Sequence, residues 1–181
     1  NAARANAAVA NNLERSVSPE QNDAIVAGLN ARLTSALGGT AAGESALAFY
    51  KNNPLSLGMA HGGGFYGKYE PDSEKSSGGE IVLNTALVQQ YMDMRGITTS
   101  QLLSDPAQLN GLSNYVAPLL VHEAAHQMQH SVSAGKMADP YTQSDEAESA
   151  SAEALFTLEK MQKDKEFAAL MNRAQDSSPY A

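Results

Sequence analysis

The sequence predicts an α+β fold, mostly helical, with a small antiparallel hairpin beside the helix that carries its chemistry. Three observations predict it. Apolar residues recur at helical spacing between recognisable caps, as in Ile25, Leu29, Leu33 and Leu37. The middle of the chain turns to Gly, aromatic and β-branched residues around a turn-forming stretch. One apolar run, Leu119 to Met128, lacks Gly and Pro and places two of the four histidines four residues apart.

The elements follow in order. Residues 1–17 are Asn/Ala-rich and form a loose lead-in. Ser18-Pro19-Glu20-Gln21 starts a helix, with Ser as cap and Pro at the first position, and Gly38-Gly39 stops it. A second short helix runs from Gly43 to about Lys51, ended by Asn52-Asn53-Pro54. A β-hairpin is expected from about Phe65 to Leu83, turned at Pro71 to Gly79. Asn84 caps a helix through about Arg95, stopped by Gly96. Thr98 to Leu103 and Pro106 to Leu109 form short helices, the latter capped by Asp105. The histidine helix then begins near Pro118, and a long helix spans about Ser144 to Arg173 before a tail, residues 174–181.

A chain of 181 residues forms one domain, 1–181, large enough for a core. With 43% hydrophobic and 18% charged residues, its composition is that of a globular protein. The net charge is −8 and no Lys/Arg cluster exists, so nucleic acid and anionic membranes are poor partners. The lack of cysteine excludes disulfides, Cys-type zinc sites and cysteine nucleophiles. No apolar run approaches the ~20 residues of a membrane span. The chain begins at Asn1 rather than Met, so removal of a preceding segment is expected. A cleaved signal peptide, and with it export to a periplasmic or extracellular (secreted) location, is one explanation, which the sequence does not distinguish from a start set in production of the chain. Oligomeric state is not legible.

His122-Glu123-Ala124-Ala125-His126 carries the chemistry. On an α-helix the two histidines lie ~40° apart and one turn apart along the axis, so both imidazoles reach one ion. Zn–N bonds of ~2.0–2.1 Å fit that spacing. Glu123 follows the first ligand and sits beside the ion, placed to deprotonate a metal-bound water. Two ordinary helix histidines with a surface Glu are the bland alternative. The apolar lead-in and the acids downstream weigh against it.

Catalytic zinc takes a third protein ligand and keeps a position open. The candidates are His61, His130, Asp139, Asp145, Glu146, Glu148 and Glu153. His130 stands ~12 Å of helix rise from His122, too far to converge on the same ion. On the following helix, with Glu148 set at zero, Ala152, Leu155, Ser151, Phe156 and Leu158 all fall within ~80° of it. That puts Glu148 on an apolar stripe, where an acid is costly unless it meets a cation. Glu146 falls at ~160°, beside Glu153, Thr157 and Lys160. Glu148 is therefore the favoured ligand and Glu146 its competitor. A capping box of Asp145 with Glu148 would also account for the acid.

These residues, His122-Glu123-x-x-His126 with Glu148-Ser149-Ala150-Ser151-Ala152 downstream, resemble the gluzincin zinc metallopeptidases over about residues 65–160. The resemblance implies a zincin-like fold and His122, His126 and Glu148 as ligands of Zn2+. It further implies Glu123 as general base, and a hairpin whose edge strand pairs with extended polypeptide substrate. Ala152 departs from the pattern, because several members carry there an Asp that orients a zinc-binding His.

His61-Gly62-Gly63-Gly64 has the composition of a lipase oxyanion loop, but no Gly-x-Ser-x-Gly accompanies it, and the glycines suit tight backbone geometry instead. Tyr141 and His130 are candidates for stabilising an oxyanion. Zinc-dependent hydrolysis of peptide bonds by an endopeptidase is the expected activity. The alternative is a non-catalytic zinc-binding helical domain that acts as an interaction module, its fourth position closed by a side chain such as His130 or Asp145.

Overall fold

A computed structural model describes residues 17–62, 64–72, 79–132 and 142–176. Helix α1 (Pro19–Asn30) starts at a capping box in which the Ser18 hydroxyl accepts from the Gln21 amide and the Gln21 side chain returns to the Ser18 N–H. It buries Ile25 and Leu29. The helix expected to run on to Leu37 breaks after Asn30, and Leu33–Leu37 forms a separate short helix, α2. Arg32, at the break, donates to Gly28 O and to Asn110 Oδ1. Helix α3 (Ala41–Tyr50) is capped by the Thr40 hydroxyl.

The expected hairpin is present. Strand β2 (Gly67–Pro71) pairs antiparallel with β3 (Gly79–Asn84). A further strand, β1 (Ser56–Ala60), pairs parallel with β3 on its other side, giving the order β1-β3-β2. The sequence hid β1 because it is short and interrupted by Gly58; pairing with β3 supplies what propensity lacks. Asn84 ends β3 and caps α4 (Thr85–Arg95), its Oδ1 accepting from the Ala86 amide. Its Nδ2 donates to Gly62 O and Phe65 O, which fixes the turn before β2. Gly96 closes α4 at φ 66°, where a side chain would strain the backbone. Helix α5 (Thr99–Ser104) has its own capping box on Thr98.

The two pieces expected around Pro106 and Pro118 are one helix. Helix α6 (Pro106–Val132) runs 27 residues with Pro118 inside it. An interior proline forfeits a backbone hydrogen bond and costs about 3 kcal/mol. Buried Leu109, Leu112, Val116, Leu120 and Val121 along the same helix outweigh that cost, each side chain adding about 1.5–3 kcal/mol. Strand β2 lies close on α6 through Gly67, where an added Cβ would stand 2.8 Å from Leu119 Cδ2.

The last long helix is also divided, into α7 (Gln143–Lys163) and α8 (Lys165–Asp176). Asp164 is extended between them, and its Oδ1 caps α8 by accepting from the amides of Glu166 and Phe167. The turn folds Phe167 back against Phe156, edge to face at 6.1 Å. Lys160 is buried between α7 and α2. Its ammonium donates to Ala36 O and Ser35 O and lies over both phenylalanine rings. Burial lowers its pKa.

The architecture is therefore α+β, mostly helical, with a small mixed sheet. Helix α6 packs against the other helices and the sheet, so the histidine motif starts from the middle of the core. No described helix is long and apolar enough to cross a membrane.

Candidate metal centre

His122 and His126 lie one turn apart on α6, their Nε2 atoms 3.2 Å from each other. Glu146, in the first turn of α7, completes a group of three: Oε2 is 3.5 Å from His122 Nε2 and Oε1 is 3.5 Å from His126 Nε2. The three face one another across the α6–α7 junction.

The partners of the outer ring nitrogens decide what those inner atoms are. The Gln129 amide group donates from Nε2 to Asp145 O and to Glu148 Oε2, so its Oε1 is the atom that faces His126 Nδ1, at 3.1 Å. An amide oxygen only accepts, which puts a hydrogen on His126 Nδ1. Ser149 Oγ adds a second contact to the same nitrogen at 3.2 Å. His122 Nδ1 meets Glu153 Oε2 at 3.1 Å, again an acceptor. In the neutral imidazoles both Nε2 atoms then present lone pairs, toward each other and toward a carboxylate. Three converging acceptors repel unless a proton or a metal ion stands among them.

The separations fit a metal. Two bonds of ~2.0–2.1 Å to the Nε2 atoms 3.2 Å apart subtend about 100–106°, near the tetrahedral value, and each Glu146 oxygen stands 3.5 Å from one of those nitrogens. Two imidazole nitrogens and one carboxylate oxygen suit zinc among the divalent ions.

Helix α7 presents a different face from the one its sequence suggested. Glu148 is exposed and stands outside the group, its carboxylate held by Gln129 instead. The stripe toward the core is Ser149, Ala152, Phe156 and Lys160, whereas Leu155 and Leu158 are 64% and 58% exposed. That rotates the helix by about 90° from the expected facing and turns Glu146 and Glu153 toward α6. The cap differs as well. Thr142 is the N-cap, with Asp145 as the returning acid, so the box does not involve Glu148.

Glu123 is 4% exposed and close enough to His122 for their charges to interact. The Tyr69 backbone N–H, on β2, donates to its carboxylate. Burial pushes its pKa up to about 7, against a lowering by His122. A dication at the histidines would pull it down again. Tyr50, whose buried hydroxyl has no partner among the described residues, feels the Glu123 charge, and its own pKa is raised chiefly by burial.

The remaining candidates lie elsewhere. His130 is buried one turn further along α6, its Nδ1 paired with the Tyr69 hydroxyl at 2.9 Å. His61 Nδ1 meets Thr85 Oγ1. Asp145 is taken up by the α7 cap. Tyr141 and Asp139 lie outside the described residues. Gln129 and Ser149 escaped sequence reasoning; the position of Gln129 three residues after His126 was the signal available. The chain matches no protein-family model, no curated protein and no solved structure, which leaves the distances among its own residues as the ground for a functional reading.

Proposed function

We propose that the protein is a zinc-dependent peptidase whose metal is held by His122, His126 and Glu146. The observation that carries this is the convergence of three acceptor groups, two of them lone-pair nitrogens with their outer sides already satisfied. Zinc, when bound, would supply Lewis-acid polarisation of a carbonyl and a water ligand acidified to a pKa near ~7.

The chain's own groups supply the rest. Glu123 adjoins His122 in sequence, is buried, and lies close enough for the two charges to interact, a placement that suits a general base. It accepts a proton from the attacking water and returns it to the leaving amine. The Tyr69 N–H steadies its carboxylate. His130 and Asp145, either of which would close a purely structural site, are committed to Tyr69 and Thr142. That favours an open fourth position over the interaction-module reading. In a gluzincin-like arrangement β2 is the strand beside the motif helix, and an extended polypeptide is the substrate this reading assigns.

Metal analysis of the purified protein, alongside His126→Ala, tests the assignment. About one zinc per chain is expected in the parent, with none in the variant, and chelator-sensitive cleavage of an unfolded protein only by the parent. A parent that takes up no zinc, or a zinc-loaded parent that cleaves no member of a mixed peptide library, would sink it.

A further inference from the structure

Glu153 takes no part in the proton transfers of the proposed chemistry. It lies two helical turns beyond Glu146 on α7, and its Oε2 meets His122 Nδ1 at 3.1 Å, on the side of the ring away from Glu146. The two histidines are therefore held unequally. His126 leans on neutral groups, the Gln129 amide oxygen and the Ser149 hydroxyl. His122 has a carboxylate partner. Glu148, the other acid nearby, reaches the pair only through Gln129.

We infer that Glu153 is the positioning residue for His122. It fixes the tautomer with the hydrogen on Nδ1, orients the ring so that Nε2 faces Glu146, and strengthens that nitrogen as a metal donor. The role rests on the proposed zinc site. The competing account is a half-exposed ion pair on a helix surface with no bearing on the metal, and such pairs are usually near neutral.

Zinc affinity separates the two accounts. The parent, Glu153→Ala, Glu153→Gln, Glu148→Gln and His122→Ala are titrated with zinc chloride against a chromophoric chelator. Circular dichroism and the thermal midpoint of each metal-free protein serve as the folding control. Glu153→Ala is expected to weaken zinc about 10- to 100-fold with the metal-free midpoint unchanged. Glu153→Gln keeps an acceptor for Nδ1–H and loses the charge, so its loss should be smaller, and it carries the test if the alanine variant fails to fold. Glu148→Gln should bind as the parent does. Parent-like affinity in both Glu153 variants overturns the inference, as does a loss in Glu148→Gln equal to that in Glu153→Ala. Undiminished zinc binding by His122→Ala, or none by the parent, instead removes the zinc site itself and this role with it.

Discussion

Glu123→Gln is expected to lower the turnover number for peptide cleavage by about 100- to 10,000-fold while leaving zinc in place. Glutamine has the shape of the carboxylate, and its amide oxygen still accepts the Tyr69 N–H, so β2 stays docked on α6. The proposed ligands His122, His126 and Glu146 are untouched. What disappears is a buried carboxylate beside the first histidine, and with it the proposed acceptor for the proton of the attacking water. Turnover number and zinc content measured on the same preparation make the comparison. A variant that keeps zinc and cleaves at the parental rate would show that another group is the base.

Phe156→Ala should cost about 3–5 kcal/mol of stability, the range for truncating a fully buried aromatic. Phe156 is 0% exposed, stacks edge-on against Phe167 and forms one of the two ring faces under the Lys160 ammonium. Its loss leaves a cavity where α7, α8 and α2 meet and weakens the surroundings of a buried charge. Urea unfolding of the metal-free protein reads the effect as a lower midpoint at unchanged slope. Leu155→Ala, one residue away but 64% exposed, should stay within about 0.5 kcal/mol of the parent. Equal losses at the two positions would mean that α7 packs by a different face.

That face is where the sequence was hardest to interpret. Ends of helices were legible because side-chain chemistry marks them: Ser18, and Asn84 with Gly96, act as their residue types suggested. The hairpin was legible from its composition, and His122-Glu123-x-x-His126 from spacing alone. The facing of α7 was not, because its inward stripe is Ser149, Ala152, Phe156 and Lys160, with a single large apolar residue, whereas Leu155 and Leu158 face solvent. Hydrophobicity therefore pointed at Glu148, and only the contacts across to α6 single out Glu146 and Glu153. The same limit hid the join at Pro118 and the break at Asp164. In the first, packing along α6 overrides a local penalty. In the second, an ordinary-looking Asp acts as an internal cap.

The division of the proposed ligands between α6 and α7 has a consequence for what a measured metal affinity would mean. Two donors are pre-placed by one continuous helix, but the third arrives only when α7 lies against α6. An ion that needs all three selects the docked population, so its apparent affinity is the intrinsic one scaled by the fraction of molecules in that arrangement. Residues far from the histidines enter through that fraction. Phe156, Phe167 and Lys160, which seat α7 at its far end, thereby help set how tightly the near end holds its ion.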